Sequence, residues 1–176
     1  DLEKVNLGDG IETIDYNAFG DCTSLKNIYL GDSLQEINSR AFYGCYSLEV
    51  INIPASVKEI DKSAFEGCLS LKEINVDKDN PYFSSIDGVL YNKDGTTLIY
   101  CPEGKSNSVV LSEEVTHVET GAFKDSSIKK IVVKNGTDGL ALATVMAGII
   151  LIFMGICKLG ALIKFIPYTI TTGFTA

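Results

Sequence analysis

The sequence has 176 residues, of which 45% are hydrophobic and 22% are charged, with a formal net charge of −8. The charges are uneven: all 23 acidic residues and 13 of the 15 basic residues lie at or before Asp138, so 13 basic against 23 acidic residues give this part a net charge of −10. That charge, and the absence of any block of lysines or arginines, exclude nucleic acid as an expected partner.

The first part of the chain repeats with a period of 23 residues. Residues 2–24, 25–47 and 48–70 share an LxxIxL-like run, a later isoleucine, an Ala-Phe pair and a cysteine. Apolar residues two apart within the run have the period of a β-strand. Because one such coil cannot bury its apolar side alone, the coils must stack on each other. The sequence therefore predicts a mainly β solenoid with 23-residue coils over residues 1–134.

Two kinds of residue recur where the coils should stack. The aromatic position predicts one column in the core, made of Phe19, Phe42, Phe65 and Phe123. A second repeat position holds Cys22, Cys45 and Cys68. No cysteine has the close-set partner of a zinc site, and free cysteine is among the most buried residue types, so we expect buried thiols here. Cys101 and Cys157 lie outside this column.

Residues 77–105 interrupt the repeat. Two strand-like runs, GVLYN and TTLIYC, flank Lys93-Asp94-Gly95, and Asp-Gly is a strong turn signal for a β-hairpin. We therefore expect a hairpin inserted into the solenoid. The repeat pattern resumes around Val109 and ends with the strand-like run IKKIVV at residues 128–133, which brings the expected parallel ladder to six strands.

These residues resemble a known family. The unit LxxIxIPxSVxxIxxxAFxxCxxL, together with the insertion SSIDGVLYNKDGTTLIYCP, is similar to the BspA-like leucine-rich repeats of bacterial surface proteins. The resemblance covers residues 1–134, and Ala41-Phe42, Cys45 and the hairpin are its hallmarks. It implies a non-enzymatic module for protein binding or adhesion, secreted or displayed on the cell surface.

The outward-facing side chains of the ladder are the candidate ligand-binding residues, because solenoids bind partners on extended concave faces. The expected partner is a protein or another ligand of a host or cell surface. The alternative for any single position is a solvated strand residue, since few interface residues carry binding energy. Tyr29 is the strongest single candidate. The predicted face comprises Lys26, Asn27, Tyr29, Glu49, Val50, Asn52, Lys72, Glu73, Asn75, Lys129, Lys130 and Val132.

The sequence offers no arrangement typical of catalysis. The single histidine, His117, lies in an alternating run and is expected to face solvent, without a nucleophile and an orienting group beside it. Asp77, Asp79 and Asn80 resemble a calcium loop only in part, since its glycine and distant glutamate are missing, and we interpret them as a solvated turn. We expect no catalytic residue, no metal and no cofactor.

A different kind of segment follows a junction at residues 135–138. Residues 139–157 are nineteen uncharged residues, which as a helix would span roughly the 30 Å hydrocarbon core of a bilayer. The alternative is a helix that caps the solenoid, but one solenoid end cannot cover a helix that is apolar on every side. We therefore predict a transmembrane α-helix at 139–157, with a connection and the start of a second transmembrane segment in 158–176.

The stretch GLALATVMAGIILIFMGICKLGALIKFIPYTITTGFTA, residues 139–176, resembles an internal part of the sulfate permease (SulP) family of anion transporters. The resemblance implies that this stretch lies in the membrane, with Lys158 and Lys164 on the cytoplasmic side and the repeat domain outside, in keeping with the positive-inside tendency. In that family the paired half-helices that hold the anion lie elsewhere, so this stretch alone implies no transport.

Three hypotheses follow from the two parts. The chain is a membrane-attached repeat protein that displays a binding surface outside the cell. Alternatively, it is a fragment of a SulP-type sulfate transporter that carries a repeat extension. In the third hypothesis the two parts are an artificial fusion joined near Gly136.

Overall fold

The structure is a computed structural model that describes residues 1–134. This part of the chain consists of short β-strands and one 3₁₀ turn, Gly8–Gly10. The strands are β1 (Lys4–Asn6), β2 (Thr13–Ile14), β3 (Asn27–Tyr29), β4 (Glu36–Ile37), β5 (Val50–Ile53), β6 (Glu59–Ile60), β7 (Glu73–Val76), β8 (Phe83–Ile86), β9 (Val89–Asn92), β10 (Thr97–Tyr100), β11 (Asn107–Leu111), β12 (His117–Val118) and β13 (Ile128–Val133).

Each regular coil holds one ladder strand and one shorter strand. The ladder strands β1 and β3 pair in parallel, as do β5 and β7, where Ile51 lies opposite Ile74. The shorter strands form a second parallel sheet in the order β2-β4-β6. Partners in both sheets are 23 residues apart. The structure therefore confirms the predicted mainly β solenoid and its coil length.

The ladder itself is not continuous. Among the described residues its strands form three separate pairs, β1-β3, β5-β7 and β11-β13. Beyond β7, the turn between β8 and β9 lies where the next ladder strand was expected, and the Gly88 carbonyl accepts a hydrogen bond from the Ile74 N–H at 2.9 Å. The prediction of a single parallel ladder was therefore wrong. The inserted segment takes over backbone partners of β7, and β3 and β5 are not paired as strands either.

The inserted segment contains one more strand than predicted. The expected hairpin is confirmed as the antiparallel pair β9-β10, but β8 adds a further antiparallel strand. The turn between β8 and β9 is Asp87-Gly88, and both residues have positive φ, 51° and 71°, as the tightest hairpin turns require. At the other edge β10 pairs in parallel with β12, so the segment is continuous with the sheet of the following coil.

The core contains the expected aromatic column, with one change. The Phe19, Phe42 and Phe65 rings stack within 5° of parallel, with centroids 5.5 and 5.7 Å apart. The fourth ring is Tyr100, whose centroid lies 5.9 Å from that of Phe65 at an angle of 48°. Phe123 belongs to a second apolar cluster that forms around the insertion. The prediction for Phe123 was wrong because the insertion places Tyr100 next in the stack.

The cysteine column forms beside the aromatic column. Cys45 and Cys68 are fully buried, Cys22 is partly buried, and their thiols are free, as is that of Cys101. The Cys45 and Cys68 thiols donate hydrogen bonds to the carbonyls of Phe19 and Phe42 in the preceding coils, at 3.2 and 3.1 Å. The expectation of buried free thiols is confirmed for Cys45 and Cys68, whereas Cys22 is only partly buried. Cys157 lies outside the described residues.

Asn80 corrects the prediction of a solvated turn after β7. Its side chain is fully buried. The Nδ2 group donates to the carbonyls of Pro54 and Val57, at 3.0 and 2.8 Å, and Oδ1 accepts from the backbone N–H groups of Tyr82 and Phe83. The Pro54 carbonyl also accepts from the Val57 N–H, so the amide adds a second hydrogen bond there and links backbone groups of two coils at the start of the insertion.

Within residues 1–134, the structure contains no helix of the length and apolar character needed to cross a bilayer. The predicted transmembrane helix at 139–157 lies outside the described residues. The same holds for the junction at 135–138 and for the connection and second segment at 158–176.

Candidate functional site

The predicted ligand face consists of the outward side chains of the ladder strands. The inward residues of β5 and β7 are Ile51, Ile53 and Ile74, which are buried, and Val76, which is half-buried. On the outward side Val50, Asn52 and Glu73 are exposed and Asn75 is half-buried. This alternation follows from the strand period of two. Tyr29 in β3 keeps 50% of its surface exposed. The side chains that the sequence assigned to this face therefore point away from the core.

The structure does not bring all predicted residues together. Lys129, Lys130 and Val132 lie on β13, which pairs with β11 beyond the inserted segment. The pairing shifts register between Asn107 and Ser108, and both neighbouring lysines are exposed, as expected at a bulge. These three residues therefore form a patch of their own on the pair β11-β13.

Ion pairs line the start of the ladder strands. Lys26 Nζ lies 3.1 Å from Glu3 Oε2, and Lys72 Nζ lies 2.8 Å from Glu49 Oε2. The hydrogen bond from Lys72, together with its charge, lowers the pKa of the Glu49 carboxyl. More than half of each side chain is exposed, so water screens these pairs and they add little stability. The lysines of this row are therefore paired with glutamates of the neighbouring coils.

A groove of about 770 Å³ runs along the opposite ends of the same strands. One outward residue from each of four successive coils lines it: Asn6, Tyr29, Asn52 and Asn75. Because three of the four are asparagines, we call it the amide groove. Asn75 Nδ2 donates to Asn52 Oδ1 at 3.3 Å, which orients both amides. Lys4, Asn27, Asp32 and Asp77 add polar groups to its lining.

The Asp9 carboxylate links Tyr29 to the backbone of Asp32 at the groove. The Tyr29 hydroxyl donates to Asp9 Oδ1 at 3.5 Å, and the Asp32 N–H donates to the same oxygen at 3.2 Å. The negative charges of Asp32 and Asp9 raise the pKa of the Tyr29 phenol. The phenol therefore remains a protonated donor at neutral pH, while the ring face stays open to solvent.

The sequence prediction missed five polar residues of this region, Lys4, Asn6, Asp9, Asp32 and Asp77. Asn6 could have been found, because it precedes Tyr29 by one 23-residue period. Asp9 and Asp32 are also one period apart, but they follow the ladder strands, where the pattern was read only for its apolar residues. Asp77 lies at the irregular start of the insertion.

A buried polar cluster joins the regular coils to the insertion. Glu103 Oε1 accepts from the Gly67 N–H at 2.9 Å and from the Tyr100 hydroxyl at 3.4 Å. The same hydroxyl lies 3.0 Å from the Phe65 carbonyl, to which it can also donate. Glu103 Oε2 is buried and has no hydrogen-bond partner among the described residues. Burial raises the pKa of this carboxyl. The cluster takes the place of the Phe-Cys arrangement of the other coils.

The described residues offer no catalytic constellation. His117 is exposed, and its Nε2 lies 3.8 Å from Glu119 Oε1. In the part of the chain that the structure covers, no group of histidine, cysteine and acidic residues could hold a metal ion.

Two family descriptions match the sequence. The BspA type leucine rich repeat region matches residues 1–101 with six copies. The sulfate permease family matches residues 97–176, and the strands β10 to β13 of the solenoid fall within that range. A Bacillus subtilis protein named as a sulfate transporter, YvdB, is 40% identical over 57 residues, which are 32% of this chain and 11% of that protein.

Three solved structures resemble the described fold. The pneumococcal vaccine antigen PcpA is 32% identical, with a TM-score of 0.65 over 77% of this chain and 34% of its own. A leucine-rich cell surface protein from Faecalibacterium prausnitzii is 28% identical, with a TM-score of 0.58 over 75% of this chain and 41% of its own. A leucine-rich repeat protein from Eubacterium ventriosum, 22% identical with a TM-score of 0.58, covers 76% and 42% and shares the fold. The chain thus spans less than half the length of each of these proteins.

Proposed function

Because the chain belongs to the BspA-type leucine-rich repeat family, we propose that it is a non-enzymatic module for protein binding or adhesion at a cell surface. The observation that carries this proposal is the outward ladder face, where the side chains of four stacked coils line one groove. Solenoids use such extended surfaces for binding. Two similar structures, described as a vaccine antigen and a cell surface protein, favour the same location.

The ligand in this proposal is a protein or another molecule of a host or cell surface that contacts the ladder face. The test is binding of the labelled full chain to intact cells. Tyr29→Ala removes the exposed ring of the groove and is expected to lower binding severalfold. Thr13→Ala, on the neighbouring sheet β2-β4-β6, is the matched control and should bind as the unchanged chain does. Equal binding by all three proteins would overturn the assignment of the face.

Residues 139–176 attach the module to the membrane in this proposal, with the repeat domain outside and Lys158 on the cytoplasmic side. The match to the sulfate permease family supports a membrane location. A membrane-impermeant, amine-reactive label applied to intact producing cells tests the orientation. Lys26 and Lys72 are exposed and should be labelled, while Lys158 should be labelled only after the cells are lysed. Labelling of Lys158 on intact cells would contradict this orientation.

A second candidate is a SulP-type sulfate transporter that carries a repeat extension, and the 40% identity to YvdB over 57 residues favours it. The test is to read single long DNA molecules of the source across the codons for residues 130–142 and on to a stop codon. A continuous reading frame followed by further transporter helices supports the transporter. Molecules that never cross the codon for Gly136 support an artificial fusion instead, and the function then reduces to the repeat module.

A further inference from the structure

The outward position that lines the amide groove holds an unusual residue type for a strand. Three of the four regular coils carry asparagine there, at Asn6, Asn52 and Asn75. Asparagine is depleted in β-strands, where branched and aromatic side chains pack better. Strand preference therefore does not account for this column. Asn6 Oδ1 accepts a hydrogen bond from the Gly8 N–H at 2.9 Å, which gives that amide a local role, whereas the side chains of Asn52 and Asn75 bond only to each other among the described residues.

The amides remain able to bind. The hydrogen bond between Asn75 Nδ2 and Asn52 Oδ1 leaves the Asn52 Nδ2 donors and the Asn75 Oδ1 acceptor without a partner among the described side chains. An amide offers two donors and one acceptor, and a hydroxyl group both donates and accepts. A row of such amides therefore matches a ligand that presents neighbouring hydroxyl groups.

Tyr29 adds an apolar surface to this row. Tyr29 is 50% exposed, and its hydroxyl lies 3.5 Å from Asp9 Oδ1. Saccharides present C–H groups on the faces of their rings and hydroxyl groups at the edges, so a sugar ring packs on an aromatic face while its hydroxyls reach polar neighbours. The amide groove brings both kinds of surface into one lining, with Tyr29 on β3 and the two hydrogen-bonded amides on β5 and β7.

The charges of the groove select the class of ligand. Asp32 and Asp77 contribute carboxylates, Lys4 lies at one end, and the amide column between them is neutral. Two carboxylates and the acidic first part of the chain disfavour an anionic ligand. The residues that carry most of the binding energy of protein interfaces are Trp, Tyr and Arg in desolvated pockets. The lining of this groove contains one tyrosine and no arginine, so a protein ligand is disfavoured as well.

We propose that the amide groove binds a neutral oligosaccharide, whose hydroxyl groups pair with Asn52 and Asn75 and whose ring face packs on Tyr29. This proposal deepens the proposed function and rests on it, since both place the ligand on the ladder face. A glycan of a cell surface would then be what the module recognises.

The test uses the full chain in a detergent without a sugar headgroup, applied to an array of neutral, sialylated and sulfated glycans. The best neutral ligand is then titrated against the variants. We expect the double variant Asn52→Ala, Asn75→Ala to bind on the order of tenfold more weakly or worse, as the loss of two neutral hydrogen bonds implies. Tyr29→Ala should lose binding to a similar degree, and the double variant Thr13→Ala, Glu59→Ala on the other sheet should bind normally.

Denaturation midpoints of all variants establish that they are folded. Tyr29→Ala changes the groove without touching the amides, so the test still has one groove variant if the other fails to fold. The proposal is overturned if the array shows no neutral glycan, if only anionic glycans bind, or if the groove variants bind as the unchanged chain does.

Cell binding separates this proposal from the proposed function. If groove variants lose binding to cells, yet glycosidase treatment of the cells leaves binding intact and protease treatment abolishes it, the ligand is a protein and only the oligosaccharide is refuted. If the groove variants bind cells as well as the unchanged chain does, both proposals fail.

Discussion

The regular coils and the inserted segment build the same core with different residues. In residues 1–76 each coil contributes a phenylalanine ring nearly parallel to the next and, in the second and third coils, a thiol that donates to the carbonyl of the preceding phenylalanine. In residues 77–104 Tyr100 is the next ring, tilted by 48°. Its hydroxyl reaches the Phe65 carbonyl, as a thiol does in the coils before it. Each phenylalanine ring of the stack is thus followed by a side chain that donates to the carbonyl of the ring's own residue. The residues that supply the ring and the donor differ between the two regions.

The strongest test of the regular coils is Phe42→Ala. Phe42 is fully buried between two parallel rings, so its truncation leaves a cavity that neighbours on either side cannot fill. We expect a loss of about 3–5 kcal/mol in the free energy of unfolding, measured by denaturant titration of the full chain. Tyr46→Ala, at a side chain that is 47% exposed, is the control and should change stability little. A small loss for Phe42→Ala would show that the column does not hold the coils together.

Tyr100→Phe tests the same role in the inserted segment. The change keeps the ring but removes the hydroxyl that donates to the Phe65 carbonyl, which keeps only the hydrogen bond from the Cys68 N–H at 3.1 Å. We expect a loss of about 0.5–1.5 kcal/mol in the free energy of unfolding, the usual contribution of one hydrogen bond. Tyr91→Phe is the matched control, because the Tyr91 hydroxyl is buried without a hydrogen-bond partner in the described part of the chain, and its removal should be neutral or stabilising. Equal losses for both variants would mean that the hydroxyl of Tyr100 has no special role.

Glu103→Gln sharpens the comparison through pH. Burial raises the pKa of Glu103 above its usual 4.5, so the folded chain holds this proton more tightly than the unfolded chain does. The stability that this group contributes is therefore complete below pH 4.5 and is lost as the pH rises through the raised pKa of the folded state. Glutamine stays neutral and keeps an acceptor for the Gly67 N–H. Denaturation across this window should show a smaller fall in stability for the variant, and an unchanged fall would rule out Glu103 as its source.

Lys72→Ala is expected to have the smallest effect. Its ion pair with Glu49 is solvent-exposed, and exposed pairs contribute little to stability. The midpoint of denaturation should stay within experimental error. The pKa of Glu49 should rise in the variant, because Lys72 lowers it in the unchanged chain. NMR titration of the Glu49 side chain detects that change. A marked loss of stability would show that the ladder face, and not only the core, holds neighbouring coils together.

The parts of the fold that depend on periodicity were predictable. The 23-residue period gives the ladder strands, the three stacked phenylalanines and the buried cysteines, because equivalent residues of stacked coils meet. Tyr100 was not predictable in this way, since the insertion breaks the count that would align it with Phe65. Asn80 was misread as solvated because its partners, the carbonyls of Pro54 and Val57, belong to another coil.

The candidate site was only partly predictable for a similar reason. Tyr29, Asn52 and Asn75 follow from the outward positions of predicted strands. The strand period does not predict where the ladder is interrupted. The interruption by the inserted segment separates Lys129 and Lys130 from the other outward residues. The rim residue Asp32 follows a strand and joins the groove through the turn geometry, which the strand period does not describe.

Carboxyl footprinting of the full chain bound to cells tests most directly the claim that the ligand occupies the amide groove. A water-soluble carbodiimide with an amine modifies exposed carboxylates, and mass spectrometry reports the extent of modification at each one. Asp32 and Asp77 at the groove should be protected in the bound chain, while Glu59 and Asp61, exposed on and beside the sheet β2-β4-β6, should react as in the free chain. Protection of Glu59 and Asp61 with Asp32 and Asp77 left reactive would contradict the account.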